Sequence, residues 1–478
     1  MTLLTTNNPA ARPGEAAGAV HGASYRDPAG FVFTRGGVLY RQVNLAGRED
    51  YDLLMSSGLY QTLANAGDMV THEEVDRSIS PDGRAYPVLQ PARVRFVSYP
   101  YEWSFSQLKD AALLTLRLQK TAMERGMSLK DATPYNVVFE NGRPVLIDTL
   151  SFERLKPGTP WVAYRQFCQL FLAPLALMSR VDIRLGSLLR AHLDGVPLDL
   201  ASALLPLRTR LTPGLLIHVH LHGASERRAA RKPPTIGAAP PKPQVGSNAV
   251  RALVDSLERT VRSLQWTPAG TVWADYYEGT NYTDVAFEQK RQIVDAAIER
   301  LAPATVWDLG ANDGTFSRLA SRRGITTLAF DIDPAAVEKN YRQVVKTQDR
   351  HLVPLLLDLT NPSTACGWAH RERDSLVDRG PADLALALAL VHHLAIAHNV
   401  PLGRIAEHFA TLARALVIEF VPKSDSQVQR MLATREDVFT EYRQEAFEQA
   451  FSAWFRIEDA IPVRDSQRTV YVMRRHAG

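Results

Sequence analysis

Residues 305–333 read TVWDLGANDGTFSRLASRRGITTLAFDID, and this stretch decides the fold of the second half of the chain. TVWDL is a short buried strand, GANDG a glycine-bracketed turn, Thr315 to Arg323 a helix stopped by Gly324, and TTLAFDI a second strand. Pro334 then opens another helix, in the first turn, where its missing N–H costs nothing. Asp308, Gly310 and Gly314 therefore sit on the first strand-to-helix turn. In an open α/β sheet ligands bind at such turns, at the carboxyl ends of the strands, and glycine lets the backbone approach them closely. A dinucleotide site is disfavoured, because G-x-G-x-x-G would need glycine at 312 and 315, where Asn312 and Thr315 stand.

Outward from this unit, Leu352 to Leu357, Asp383 to Val391 and Ala415 to Val421 are further apolar runs, with helical PLGRIAEHFATLA between the last two. Near-continuous apolar strands separated by helices predict a parallel sheet covered on both faces. Phe455 to Val463 and Arg468 to Arg474, joined around Asp465, read instead as a terminal antiparallel hairpin. The expectation is an α/β fold: a doubly wound, Rossmann-like sheet of seven strands with a reversed last strand.

Asp308, Gly310, Asn312 and Gly314 resemble motif I of class I S-adenosylmethionine-dependent methyltransferases, D/E-x-G-x-G-x-G, with Asn312 in place of the middle glycine. The resemblance continues at the next two strand ends. It implies that Asp331 accepts hydrogen bonds from both ribose hydroxyls of S-adenosyl-L-methionine and that Asp358, in LLLDLTNP, contacts the adenine amine. Asp331 and Asp333 also suit capping of the helix opened by Pro334, the alternative use of an aspartate there. WADYYEGTNY, residues 273–282, followed by WDLGAN resembles a bacterial group that includes host-specificity nodulation methyltransferases acting on sugar signals.

Methyl transfer is an in-line attack that needs an aligned nucleophile and removal of its proton in a dry pocket. The fourth strand run ends in LVHHL, so His392 and His393 are candidate general bases. As neighbours on a strand they point to opposite faces, and His393 is favoured; packing or hydrogen bonding is the alternative for each. The D/N-PP-Y/F tetrad used for adenine amines is missing, and neither cysteine suits ring-carbon methylation, which leaves oxygen or ordinary nitrogen acceptors. Tyr276, Tyr277 and Tyr282 around Gly279 precede a helix bearing Lys290 and form a candidate lid, or pack that helix on the sheet. Glu419, ending the fifth strand, either faces the acceptor or pairs with Lys423.

In the first half, GFVFTRGGVLYRQVN (residues 30–44) alternates about Gly36-Gly37 as a hairpin does, and Ser104 with Gln107 forms a capping-box pair opening a helix to Arg125, stopped by Gly126. SLKDATPYNVVFENGRPVLIDTLSF then resembles protein kinases and aminoglycoside phosphotransferases. It places Asp131, Asn136 and Asp148 around a hairpin in the order of their catalytic Asp, metal-binding Asn and second metal-binding Asp. The resemblance implies an α+β kinase-like domain with a site for ATP and Mg2+. Lys130 before Asp131, DTL for DFG, and Arg41 where a strand lysine belongs depart from the pattern. His218, His220 and His222 in LIHVHLHG share one face if extended; a half-buried strand is expected there and no metal site.

The chain has 478 residues, 55 Lys+Arg against 51 Asp+Glu for a net charge of +4, and two cysteines. This composition excludes a disordered tail protein, a disulfide-stapled domain and a collagen-like fibre. Cys168 and Cys366 form no CxxC pair, so a reducing, cytoplasmic setting is expected and a structural zinc is not. The first residues lack a basic start followed by an apolar core, so no secretory signal is expected, and Phe167 to Met178, interrupted by Gln169 and Pro174, is too short to span a membrane. The sequence divides as a tail (1–24), a kinase-like domain (25–222), a Pro/Ala/basic linker (223–248) and a methyltransferase domain (249–478). The linker's Arg227, Arg228, Arg231, Lys232 and Lys242 read as solvated, and nucleic acid is not expected as a partner. The function expected is methyl transfer to a small-molecule or glycan acceptor presented by the kinase-like domain. The rivals are a bifunctional kinase and methyltransferase, and a non-catalytic ligand-binding scaffold.

Overall fold

Gly36 and Gly37, at φ +57° and +76°, reverse the chain between β1 (Gly30–Arg35) and β2 (Val38–Val43). A two-residue turn with both φ values positive matches the strand twist and favours glycine. With β3 (His72–Val75) and β4 (Val88–Pro91) these strands form an antiparallel sheet in the order β1-β2-β4-β3. The Phe105–Glu124 helix starts at Ser104, whose Oγ accepts from Gln107 N at 3.3 Å while Gln107 Oε1 accepts from Ser104 N at 2.9 Å. Beyond it, β5 (Met127–Leu129) pairs with β8 (Phe152–Arg154), and β6 (Val137–Glu140) with β7 (Arg143–Leu146) through a left-handed Asn141-Gly142 turn. These α+β elements are those expected of the first half.

The computed structural model describes residues 20–231, 244–268, 282–433 and 436–477. Tyr276, Tyr277 and Gly279 lie outside the described residues, as do most of the N-terminal tail and residues 232–243 of the proposed linker. The described residues form two compact units. The first holds those up to Thr267 together with Ala365–Arg373, and the second holds the rest. Two segments differ from the sequence reading. His222–Arg231 is a helix, rich in Ala, Arg and Glu, which favour helix over linker. The Ser247–Ser263 helix belongs to the first unit, where it buries Val250, Val254, Leu257 and Val261 on one stripe and pairs Asp255 and Glu258 with Lys120 of the Phe105–Glu124 helix.

In the second unit, β9 (Thr305–Leu309), β10 (Thr326–Asp331), β11 (Leu352–Leu356), β12 (Ala382–Ala387), β13 (Ala413–Phe420), β14 (Phe455–Pro462) and β15 (Thr469–Arg475) form one sheet. Its order is β11-β10-β9-β12-β13-β15-β14, parallel throughout β9–β13, with β15 antiparallel to both neighbours. This is the doubly wound, seven-stranded sheet with a reversed last strand that the apolar runs predict. Val306, Leu384, Leu386, Val417 and Val470 pack against Val294 and Ile298 of the Asp284–Leu301 helix. The chain runs from β9 out through β10 to β11 and then crosses back to β12 on the other side of β9, and a crevice opens at the carboxyl ends of the strands where the direction switches. No helix among the described residues is long and apolar enough to cross a membrane.

Candidate functional site

The crevice beyond β9, β10, β11 and β12 is a cavity of about 260 Å³. Asp308, Gly310, Asn312, Asp331, Asp358, Tyr282, Lys290 and His393 all line it. Its floor is the turn after β9. Gly310 has φ +83° and Gly314 φ +82°, and a Cβ on Gly314 would fall 2.4 Å from the Asn340 amide, so a side chain is excluded there. Asn312, at φ +49°, is itself left-handed. Asparagine tolerates that conformation, which explains how it stands where the motif has glycine.

Asp331, the last residue of β10, fixes this turn. Its Oδ2 accepts from Asn312 N at 2.7 Å and its Oδ1 from Asp333 N at 2.8 Å. The helix opened by Pro334 is capped by Asp333, which accepts from Ala335 N at 2.8 Å, and not by Asp331. Asp358 Oδ1 accepts from Thr360 N at 2.8 Å, holding its carboxylate on the cavity wall. Asp308 Oδ2 accepts from Ser317 Oγ at 2.6 Å.

Burial pushes the Asp308 carboxyl up to about 7, against the Ser317 hydrogen bond and aided by the nearby Asp331 charge. Burial likewise pushes Asp331 up to about 6, against the two backbone N–H groups. Both acids hold their proton more tightly in the folded chain than in the unfolded one. Between about pH 4 and 7 the folded state therefore binds more protons, and stability falls as pH rises. Thermal unfolding should show a melting temperature that declines from pH 5 to 7.5, with a flatter profile for Asp308→Asn. An unaltered profile in that variant would contradict the assignment.

The two histidines differ from the strand reading. β12 ends at Ala387, and Leu388, Ala389 and Leu390 form a turn with Ala389 at φ +50°, so His392 and His393 open a helical segment with their rings 4.1 Å apart. His393 lines the cavity, whereas His392 does not. Burial, helped by His398 and Arg468, lowers His393 to about 4 and keeps it uncharged at neutral pH. His392 is buried too, and its Nδ1 has no hydrogen-bond partner among the described residues.

Glu419 neither lines the cavity nor pairs with Lys423, which binds Asp437 at 2.8 Å. It is fully buried: Oε2 accepts from Lys290 Nζ at 2.7 Å and from Ala389 N at 2.8 Å, and Oε1 accepts from the Tyr282 hydroxyl. The Arg468 guanidinium lies 4.4 Å over the Tyr282 ring and bonds Asp425 at 2.8 Å. Arg468 and the left-handed Ala389 escaped the sequence reading, since an arginine entering a terminal hairpin and an alanine inside an apolar run give no signal.

In the first unit, Asp131, Asn136 and Asp148 do converge. Asn136 Nδ2 donates to Asp131 Oδ2 at 3.0 Å, to Asp148 Oδ2 at 3.4 Å and to Ser151 Oγ at 3.1 Å. Arg41, on β2, forms a buried ion pair with Asp148 Oδ1. The three histidines of LIHVHLHG are helical, not extended: His218 bonds Tyr164 and Ser256, His220 bonds Ser202 and Thr209, and His222 stacks on Tyr164. No metal-binding group of three or more His, Cys, Asp or Glu occurs among the described residues.

The strand order of the second unit, with β15 alone reversed, is that of the doubly wound, seven-stranded sheet the sequence predicts. The chain belongs to the family of nodulation protein NoeA. With NoeA from Rhizobium meliloti (strain 1021) it shares 36% identity over 471 residues, covering 98% of this chain and 97% of that protein. No protein-family model matches the chain. Among solved structures, it is similar to magnesium protoporphyrin IX methyltransferase from Synechocystis PCC 6803 with bound SAH, at a TM-score of 0.31 and 17% identity over 43% of this chain and 93% of that one. It is also similar to N-methyltransferase NodS from Bradyrhizobium japonicum WM9, at a TM-score of 0.31 and 12% identity over 41% of this chain and 98% of that one.

Proposed function

We propose that the chain is a cytoplasmic S-adenosylmethionine-dependent methyltransferase acting on an oxygen or nitrogen of a small-molecule or glycan acceptor, which the kinase-like first unit recognises or presents. The observation that carries this reading is the convergence of Asp331 and Asp358, from successive strand ends, with the left-handed Gly310–Asn312 turn on one cavity. The residues fit the cofactor: carboxylates for the ribose hydroxyls and the adenine amine, and a turn without side-chain bulk at Gly310 for the amino-acid end. S-adenosylmethionine, when bound, supplies a methyl group on a sulfonium that is open to in-line attack.

The protein's own residues supply the rest. Asp331 and Asp358 orient the cofactor, Phe287, Phe316 and Leu394 help to exclude water, and Tyr282 closes the wall beside Lys290. His393, uncharged at neutral pH, accepts the acceptor's proton. The resemblance of residues 273–282 and the WDLGAN motif to a group that includes nodulation methyltransferases acting on sugar signals supports a glycan or other small molecule over a nucleic acid as acceptor. Incubation with methyl-labelled cofactor and a cell extract should yield one labelled product, identifiable by mass. His393→Ala should slow its formation by about 10²–10⁴-fold. Absence of labelled product from extracts of the native host would defeat the proposal, and an undiminished rate in the variant would remove His393 as base.

A further inference from the structure

The kinase-like reading of the first unit calls for a divalent cation held by Asn136 and Asp148, and the donor set does not fit one. Mg2+ needs near-octahedral oxygen ligands at about 2.1 Å and usually keeps several waters. Both oxygens of Asp148 are already engaged: its side chain is 4% exposed, Oδ1 is taken by Arg41 and by Leu150 N at 3.0 Å, and Oδ2 faces the Asn136 amide. Asn136 turns its nitrogen, a donor, toward both carboxylates, where a metal would need its oxygen. Asp131 is occupied as well, by Asn136 and by Gln166 Nε2 at 2.6 Å.

We infer that the Arg41 guanidinium stands permanently in the cation's place, so that this acidic cluster takes no divalent metal and the first unit transfers no phosphoryl group. Arginine suits the part where lysine would not. Its charge is permanent, its Nη1 is held against the Asp148 carboxylate, and its side chain is as buried as its partner's, at 3% exposed. Asp131 and Asp148 line a cavity of about 1210 Å³ with Lys130, Arg165 and Gln166, all of the first unit. That cavity is thereby left as a metal-free binding surface. The inference rests on the kinase-like reading of this unit and is independent of methyl transfer by the other.

Manganese paramagnetic resonance on the full chain tests it. The native protein should bind no Mn2+ up to millimolar metal, with or without ATP. Arg41→Ala should gain one Mn2+ per chain, at least tenfold more tightly than the native protein, and lose it again in Arg41→Ala/Asp148→Asn. One bound Mn2+ in the native protein that Asp148→Asn abolishes would overturn the inference. So would ATP turnover that depends on Asp148, or a folded Arg41→Ala that binds no more metal than the native chain. If Arg41→Ala does not fold by circular dichroism, the native titration and its Asp148→Asn control decide alone.

Discussion

Asp331→Ala is expected to weaken binding of S-adenosylhomocysteine by about 10²–10³-fold while the protein stays folded. The carboxylate is held by two backbone N–H groups, Asn312 on one oxygen and Asp333 on the other, so its orientation is fixed before any ligand arrives. A hydrogen bond to a charged acceptor contributes about 1.5–3 kcal/mol, and the ribose offers two hydroxyls, so about 3–4 kcal/mol of binding is at stake. The same substitution releases the Asn312 N–H and loosens the turn that carries Gly310, which adds to the loss. Because the carboxyl sits near 6 in the free protein, affinity should also fall as pH drops below about 6. Isothermal calorimetry at pH 7.5 and 5.5 gives both numbers. Affinity in the variant equal to that of the native protein, with an unchanged circular dichroism spectrum, would remove Asp331 from the site.

The residues of this site were legible because their signals are local. Glycines at 310 and 314, an acid at each strand end and apolar runs between helices can be read without knowing what packs on them. The histidines were misplaced for the opposite reason. The run from Asp383 to Val391 stays apolar beyond Ala387, while the backbone turns through a left-handed Ala389, a conformation alanine does not advertise. What holds Ala389 there is Glu419, thirty residues away in sequence, through a bond no periodicity records. LIHVHLHG shows the limit of alternation as a strand signal: helical neighbours extend through it, His218 and His222 share Tyr164, and His220 bonds two hydroxyls. The Ser247–Ser263 helix follows the Pro-rich stretch and so reads as part of the second half. Only its buried stripe and the Lys120 pairing assign it to the first unit.

Glu419→Ala should be far more damaging to stability than its distance from the cavity wall suggests, costing about 3–5 kcal/mol. Burial pushes the Glu419 carboxyl up, yet Lys290 and Arg468 hold it below the ordinary range, so it is ionised in the interior. Burial lowers Lys290 against the pull of the same carboxylate. Removing the acid leaves the Lys290 ammonium, 4% exposed, without its counter-ion and strips the acceptor from Ala389 N and the Tyr282 hydroxyl. Breaking one side of a buried pair is the costly change, whereas replacing both partners by apolar groups recovers much of the loss. Lys290→Met/Glu419→Leu should therefore unfold at a higher urea concentration than Glu419→Ala alone, since Arg468 keeps Asp425 in either variant. The recovery should stop short of the native value, because Ala389 still lacks its acceptor and a left-handed alanine costs about 1–2 kcal/mol to hold. A Glu419→Ala variant within 1 kcal/mol of the native protein would mean that the four segments meeting at this carboxylate are held by their packing alone.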